Sequence, residues 1–185
     1  MLLSQPLVLV RGTILGKTQR SIDIQIGTGF ARRDQRLEMP DRVRILVANR
    51  ARLATIHTNA AVLTILAAPS RTRARLLVVA RDTSRATLER DDLALVFRAR
   101  SDVTLGTLSF LPGHRDRSVI AVAGYREPRR IDVPRDTPVV TLEPGSISDL
   151  IGERHVAIVA SDSGLSAENV ARTIIVDAGA RALLF

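Results

Sequence analysis

Short segments in which apolar and polar residues alternate recur along the whole chain. The clearest lies at residues 21–26, where the sequence S-I-D-I-Q-I places three isoleucines on one face of an extended strand. Residues 42–47 alternate in the same way, and the segments 73–80 and 155–160, with their continuous apolar runs at 76–80 and 156–160, suit buried strands. Proline and glycine separate these segments, as in the Pro-Gly pair at 144–145. The pattern predicts an all-β protein of short strands joined by turns.

The same alternation predicts which side chains form the core. Residues on the apolar face of a strand are expected to be buried, and arginines on the opposite face are expected to be exposed. The predicted core comprises Val43, Ile45, Val47, Leu76, Val78, Leu95, Val139, Val156, Ile158 and Ile174. The predicted exposed set comprises Arg42, Arg44 and Arg73.

Two halves of the chain share sequence motifs. Gly12-Thr13-Ile14 returns as Gly106-Thr107-Leu108, a distance of 94 residues. Pro40 and Pro134 are separated by the same 94 residues, so no gap is needed between the two anchors. The recurrence predicts that the chain is a tandem duplication.

The domain organisation follows from this repeat. Residues 1–99 are predicted to be a first, Arg-rich repeat and residues 103–185 a second, which ends in an apolar tail. Residues 76–82 match residues 156–162 at a distance of only 80 residues, which is shorter than the 94 residues between the earlier matches. The first repeat should therefore carry an insertion, which we place within residues 57–70.

Three further segments of the first repeat complete the prediction. The insertion at 57–70 fits a short helix and a buried strand equally well, and both alternatives stay open. Residues 93–97 are expected to form the last strand of the first repeat, and residues 98–102 form a short linker. Two domains joined by so few residues are expected to pack against each other.

The charge of the chain is strongly basic and unevenly distributed. The formal net charge is +8, and 27 cationic side chains include the single lysine Lys17. Residues 1–100 hold 18 basic and 8 acidic side chains, whereas residues 101–185 hold 9 and 11. Such a bias favours a polyanionic or acidic partner on the first repeat. GC-rich coding would also raise the arginine content without a functional cause.

Several classes of protein are excluded by composition. The chain has no cysteine, which excludes disulfides, thiol catalysis and cysteine-ligated zinc. No apolar stretch approaches the roughly 20 residues of a membrane-spanning helix.

The first ten residues lack the basic region of a signal peptide. We expect an envelope location, periplasmic or extracellular, if the N-terminus is processed, and a cytoplasmic location otherwise.

Motifs that would indicate catalysis or metal binding are weak. His57, His114 and His155 lie in separate segments without metal-ligand spacing. The segment 12–18 ends in Gly-Lys-Thr but is one residue short of a phosphate loop and precedes a strand. Asp162-Ser163-Gly164 suits a hairpin turn better than a nucleophile. We therefore predict no catalytic, cofactor-binding or metal-binding residue and no enzymatic activity.

One set of arginines in the first repeat indicates a binding surface. On strands, aligned guanidinium groups could hold phosphates, acidic lipid or an acidic protein surface. Single-strand binders also stack bases on aromatic rings, but Phe110 and Tyr125 lie in the other repeat. The predicted partner-binding residues are Arg32, Arg33, Arg36, Arg42, Arg44, Arg50, Arg52, Arg71, Arg73 and Arg75.

Turn and strand motifs of the second repeat are similar to those of a known domain family. They are Gly106-Thr107-Leu108, Val139-Val140, Pro144-Gly145, Ser148-Asp149-Leu150, Gly152-Glu153, residues 156–160 and residues 171–176. They resemble a bacterial family of unknown function, usually in exported or envelope proteins, whose domain is a small oligonucleotide/oligosaccharide-binding (OB) type β-barrel. The resemblance implies two tandem OB-like small β-barrels related by internal duplication.

The expected function follows from this resemblance and from the missing catalytic motifs. We expect a non-catalytic structural or accessory subunit that docks on a larger, envelope-associated bacterial assembly. Its expected partners are protein subunits, with an acidic surface or anionic lipid as further candidates. The alternative is a nucleic-acid-binding protein that uses tandem OB-like barrels with a basic face on the first repeat.

Overall fold

A computed structural model of the protein describes residues 6–27, 29–82, 88, 90–97, 103–111, 119–123, 128–161 and 169–180. Within these residues the fold is all-β, as predicted, with twelve strands and one short α-helix. No helix in this described part of the chain is long and apolar enough to cross a membrane.

The strands are short and connected mostly by turns. In chain order they are β1 (Leu7–Lys17), β2 (Ser21–Ile26), β3 (Arg33–Glu38), β4 (Arg44–Ala51), β5 (Ala61–Leu66), β6 (Ala74–Ala80), β7 (Val103–Phe110), β8 (Val119–Ala123), β9 (Arg129–Asp132), β10 (Val139–Pro144), β11 (His155–Ser161) and β12 (Val170–Asp177). The helix α1 (Arg90–Val96) lies between β6 and β7. Short 3-10 turns at Gly29–Ala31, Leu53–Thr55 and Ile147–Asp149 complete the described elements.

The chain divides into two compact units that are interleaved in sequence. Unit 1 comprises Met1–Val47 and Pro144–Phe185, and unit 2 comprises Ala48–Glu143. The division differs from the predicted consecutive domains, because the chain changes unit within β4 and again at the end of β10. The linker predicted at 98–102 lies outside the described residues.

In unit 1, five strands pair into a closed ring. β1, β2 and β3 form an antiparallel meander, and β1 also pairs antiparallel with β11. β11 pairs antiparallel with β12, and β12 returns to β3 through a parallel contact of Val170 with Glu38. The ring therefore joins three strands from the first half of the chain to two from the second.

Unit 2 repeats this order with the two halves exchanged. β7, β8 and β9 form the antiparallel meander, and β7 pairs antiparallel with β5. β5 pairs antiparallel with β6, and a parallel bridge between Arg73 and Asp132 connects the start of β6 to β9. β10 lies parallel to β6, with Val139 opposite Leu77.

The cores of the two units use equivalent positions of the sequence. Seven core residues of unit 1 have a core counterpart in unit 2 at a distance of 94 residues. The pairs are Ile14 and Leu108, Leu37 and Ile131, Met39 and Val133, Ile45 and Val139, Ile56 and Leu150, Val62 and Val156, and Leu66 and Ala160. Each core combines apolar residues from both halves of the chain, so neither half carries a complete core.

The open alternative at residues 57–70 is decided in favour of a strand. β5 occupies Ala61–Leu66, and all six of its residues are buried. Its start lies 94 residues before the start of β11 at His155. The segment thus has a counterpart in the second half, and the element order does not require an insertion there. The duplication itself stays a prediction.

The strand predicted at 93–97 is wrong, because this segment belongs to α1 and its last turn. Leu93, Val96 and Phe97 are buried at helical spacing, and the Phe97 amide donates a hydrogen bond to the Leu93 carbonyl at 2.9 Å. Five consecutive apolar residues show no period of their own, so the strand and the helix could not be told apart locally.

The predicted core is largely buried. Val43, Val47 and Leu95 are only half-buried, whereas the other seven predicted core residues are buried. Arg42 and Arg73 are exposed, as predicted. Arg44 is instead half-buried, with its Nη2 atom 3.0 Å from the Thr173 hydroxyl oxygen.

The substitution Ile158→Ala should destabilise unit 1 strongly. Ile158 is fully buried in the unit 1 core, so truncation removes packing contacts and leaves a cavity, at a cost of about 2–5 kcal/mol. Urea unfolding followed by circular dichroism measures the loss. Ile151, which is half exposed, provides a matched control, and Ile151→Ala should change stability by less than about 0.5 kcal/mol. Equal losses in the two variants would contradict the core assignment.

Candidate functional site

A groove with a volume of about 1310 Å³ opens in unit 2. Three segments of the chain contribute most of its lining: residues 49–57 at the end of β4 and beyond, residues 79–81 at the end of β6, and residues 133–138 between β9 and β10. The groove is therefore formed where strands end and turns begin, which is where binding residues of β proteins are commonly found.

Backbone hydrogen bonds fix the two turns that border the groove. In the first turn, the Thr55 amide and the Thr55 hydroxyl both donate to the Arg52 carbonyl, at 2.9 and 2.8 Å. In the second, the Thr137 amide donates to the Pro134 carbonyl at 2.9 Å, which places Arg135 and Asp136 at the turn. The basic side chains of the groove are thus carried by ordered turns.

The groove combines a basic border with an apolar floor. Of the lining residues that the structure describes, one is a carboxylate, Asp136, and four are arginines: Arg50, Arg52, Arg81 and Arg135. The floor includes buried apolar residues of the unit 2 core, namely Ile56, Ala60, Val79 and Val133. Such a lining suits a ligand that presents both negative charge and apolar groups.

Only one of the four arginines is paired. The Arg81 Nη1 atom lies 2.5 Å from the Glu143 Oε1 atom, and Asn49 also approaches this carboxylate at 3.5 Å. Arg50, Arg52 and Arg135 are exposed, and their side chains form no ion pair or hydrogen bond within the described part of the chain. Three guanidinium groups therefore remain available to an incoming anion.

Two of the groove arginines, Arg50 and Arg52, have no basic residue 94 residues further along the chain. Displaced by the 94 residues that relate the two cores, Arg50 corresponds to Pro144, and Arg52 corresponds to Ser146. The Ser146 amide donates to the Asp149 carboxylate at 2.8 Å, so a local cap occupies this turn. By the same displacement, Arg135 and Asp136 correspond to Asp41 and Arg42, so the positive and negative charges exchange places.

The ten predicted arginines divide between the units. Arg32, Arg33, Arg36, Arg42 and Arg44 belong to unit 1, and Arg50, Arg52, Arg71, Arg73 and Arg75 belong to unit 2. Among them, only Arg50 and Arg52 line the groove. The other two groove arginines, at positions 81 and 135, were not predicted.

In unit 1, Arg36 is already engaged. Its Nε and Nη2 atoms lie 2.7 and 3.0 Å from the two carboxylate oxygens of Asp23 on the neighbouring strand β2. The hydrogen bond from Arg36 holds the pKa of Asp23 below its ordinary value, against an opposing effect of burial. Arg32, Arg33 and Arg42 are exposed.

In unit 2, the arginines before and within β6 face other parts of the fold. Arg75 donates from Nη2 to the Phe97 carbonyl at 3.4 Å, beyond the end of α1, where a cation is favourable. Arg73 takes part in the bridge to Asp132, and Arg71 is exposed in the preceding turn. None of these three lines the groove.

Those weaker motifs of the sequence that lie within the described residues form no further site. Residues 12–17 belong to strand β1 rather than to a loop that could surround a phosphate. His57 lines the groove, His155 lies 3.2 Å from the Thr13 hydroxyl, and His114 falls outside the described residues. Asp162-Ser163-Gly164 and Tyr125 also fall outside them, and Phe110 packs beside the unit 2 core.

No group of three or more potential metal ligands occurs where the structure is described.

Comparisons with protein-family models, with curated proteins and with solved structures find no match to this chain. The function is therefore argued from the geometry and charge of the groove.

Proposed function

We propose that the protein is a non-catalytic accessory subunit that docks an acidic, partly apolar segment of a partner protein in the unit 2 groove. One observation carries the proposal: Arg50, Arg52 and Arg135 are exposed and unpaired within the described residues around an apolar floor. Guanidinium groups bind carboxylates in a bidentate manner, which gives both affinity and orientation.

The dimensions of the groove favour a peptide segment over a small molecule. Its volume of about 1310 Å³ exceeds the roughly 300–1,000 Å³ typical of small-ligand sites. A peptide with acidic residues on one side could bind the arginines while its apolar residues cover Ile56 and Val133 on the floor. The apolar contacts would supply affinity and the charges would select the partner.

The wider biological setting is also part of the proposal. Each unit has a ring of five strands, the number found in an OB barrel, and this supports two OB-like barrels. The seven matched core pairs support the internal duplication. The resemblance of the second repeat to a family of envelope proteins supports a place in a larger bacterial envelope assembly.

Nucleic acid remains the alternative partner, because the same three arginines could bind phosphates. Single-stranded nucleic acid is usually held by aromatic stacking in addition to charge. Among the described residues, no Phe, Tyr or Trp lines the groove. The lining therefore favours the acidic protein segment.

Reversing the groove charges tests the proposal. The triple variant Arg50→Glu, Arg52→Glu, Arg135→Glu should weaken binding of a fluorescent peptide with alternating acidic and leucine residues by at least about tenfold, because it replaces three attractions with repulsions. Fluorescence anisotropy measures the affinity. The unit 1 triple Arg32→Glu, Arg33→Glu, Arg42→Glu carries the same change in net charge and should alter it less than threefold, about the effect of long-range charge alone.

Two results would contradict the docking proposal. Equal losses in both triple variants would show that the peptide responds to net charge rather than to the groove. Tighter binding of a single-stranded oligonucleotide, with the steep salt dependence of phosphate contacts between about 50 mM and 200 mM salt, would favour the alternative.

A further inference from the structure

The tip of the hairpin between β2 and β3 presents an aromatic ring to solvent. Ile26 and Arg33 are paired across the hairpin, and the chain turns between them. Phe30, on this turn, has an exposed fraction of 113%, whereas the other exposed large apolar side chains, those of Leu15, Ile147 and Ile151, reach at most 50%. Among the described residues, no other large apolar side chain is as exposed.

Two glycines define the conformation of this tip. Gly27 and Gly29 have φ angles of 82° and 58°, a region that favours glycine. A Cβ atom on Gly27 would also come within 2.5 Å of the Ala31 carbonyl oxygen. The Arg32 amide donates to the Gly29 carbonyl at 3.4 Å and closes the 3-10 turn that carries Phe30. The exposure of Phe30 is therefore part of a specified turn.

Two exposed cations follow Phe30 closely in the sequence. Arg32 and Arg33 are exposed, and their side chains have no ion-pair partner within the described residues. The nearest acidic residue in sequence, Asp34, is also exposed. An aromatic ring with flanking arginines is the combination that binds at the interface of an anionic bilayer, where the ring enters the headgroup region and the cations meet lipid phosphates.

We infer that the hairpin tip at residues 29–33 inserts Phe30 into the surface of a membrane that contains anionic lipid. A stable protein interface needs some 20–30 residues on each side, whereas the tip offers one ring and two cations. One ring and two cations are enough for binding to a bilayer surface, because the surrounding lipid molecules supply the rest of the contact. Such an anchor is weak by itself and would orient a protein that a partner also holds. The inference does not depend on the groove of unit 2.

The sequence contains no tryptophan, which permits a direct test. The Phe30→Trp variant has a single tryptophan at the tip. Its emission should shift to the blue and be quenched by brominated acyl chains when vesicles of phosphatidylcholine with phosphatidylserine are added. Vesicles of phosphatidylcholine alone should have little effect. Ile151→Trp, an exposed position of the same unit, is the control and should not respond.

Charge reversal at the tip gives the second arm of the experiment. Arg32→Glu with Arg33→Glu, in the Phe30→Trp protein, should weaken vesicle binding on the order of thirtyfold or more, since each arginine near an anionic surface contributes to binding. The groove triple variant should alter vesicle binding less than threefold, about the effect of long-range charge alone. Absence of a blue shift with the anionic vesicles, an equal shift with neutral ones, or an equal response at position 151 would overturn the inference.

Discussion

Cutting the chain between residues 97 and 103 should give two fragments that cannot fold as monomers but restore the native structure when mixed. Unit 1 needs β1, β2 and β3 from the first fragment and β11 and β12 from the second. Unit 2 needs β5 and β6 from the first and β7, β8 and β9 from the second. A separate fragment therefore lacks part of both rings and both cores.

A specific protease site placed within residues 98–102 allows this test on the intact protein. After cleavage, the two pieces should remain associated in size-exclusion chromatography with light scattering, and the circular dichroism spectrum should not change. Separated in denaturant and refolded alone, each fragment should be unfolded or form a homodimer, because each half carries strands equivalent to those of the other. A folded monomeric fragment would contradict the interleaved arrangement.

The second large effect concerns Gly106 in β7. A Cβ atom at this position would lie 2.3 Å from the Ala123 carbonyl oxygen and 2.7 Å from the Val122 Cγ1 atom. The carbonyl cannot move away without disturbing the pairing of β7 with β8, in which Thr107 faces Ala123. Gly106→Ala should therefore destabilise the protein by about 1–3 kcal/mol, the range for overpacked sites.

Gly12 in β1 repeats this arrangement and Gly16 provides the control. A Cβ atom on Gly12 would lie 2.5 Å from the Gln25 carbonyl oxygen, so Gly12→Ala should cost as much as Gly106→Ala. A Cβ atom on Gly16, in the same strand, would meet no other atom within 4 Å, and Gly16→Ala should change stability by less than about 0.5 kcal/mol. Thermal unfolding of the three variants measures these differences. Similar stability in all three would refute the close approach.

The all-β class could be predicted because the alternation of apolar and polar residues shows which side chains share a face of a strand. The S-I-D-I-Q-I pattern of β2 gives buried Ile22 and Ile24. Alternation does not report which strand lies alongside, so nothing in Arg44–Ala51 marks the change of unit within β4. Pairing between distant segments depends on the whole fold, and the interleaving became visible only in the strand register.

The groove was only partly predictable for a similar reason. Arg50 and Arg52 belong to a dense run of arginines, and this run predicts a binding surface. Arg81 and Arg135 stand at strand ends that are far apart in sequence, and Arg135 lies in the half of the chain with net negative charge. Asp41 and Arg42 are followed 94 residues later by Arg135 and Asp136, so a comparison of the two halves shows an exchange of charges and does not single out Arg135.

The order in which the ribosome releases the two units follows from their interleaving. Unit 2 is continuous from Ala48 to Glu143, so all of its strands have been synthesised before those that complete unit 1. β1 emerges first but must wait for β11, its antiparallel neighbour, while its edge stays unpaired. The edge of β1 is thus protected long after β1 itself has been synthesised, and a chaperone would act on this edge.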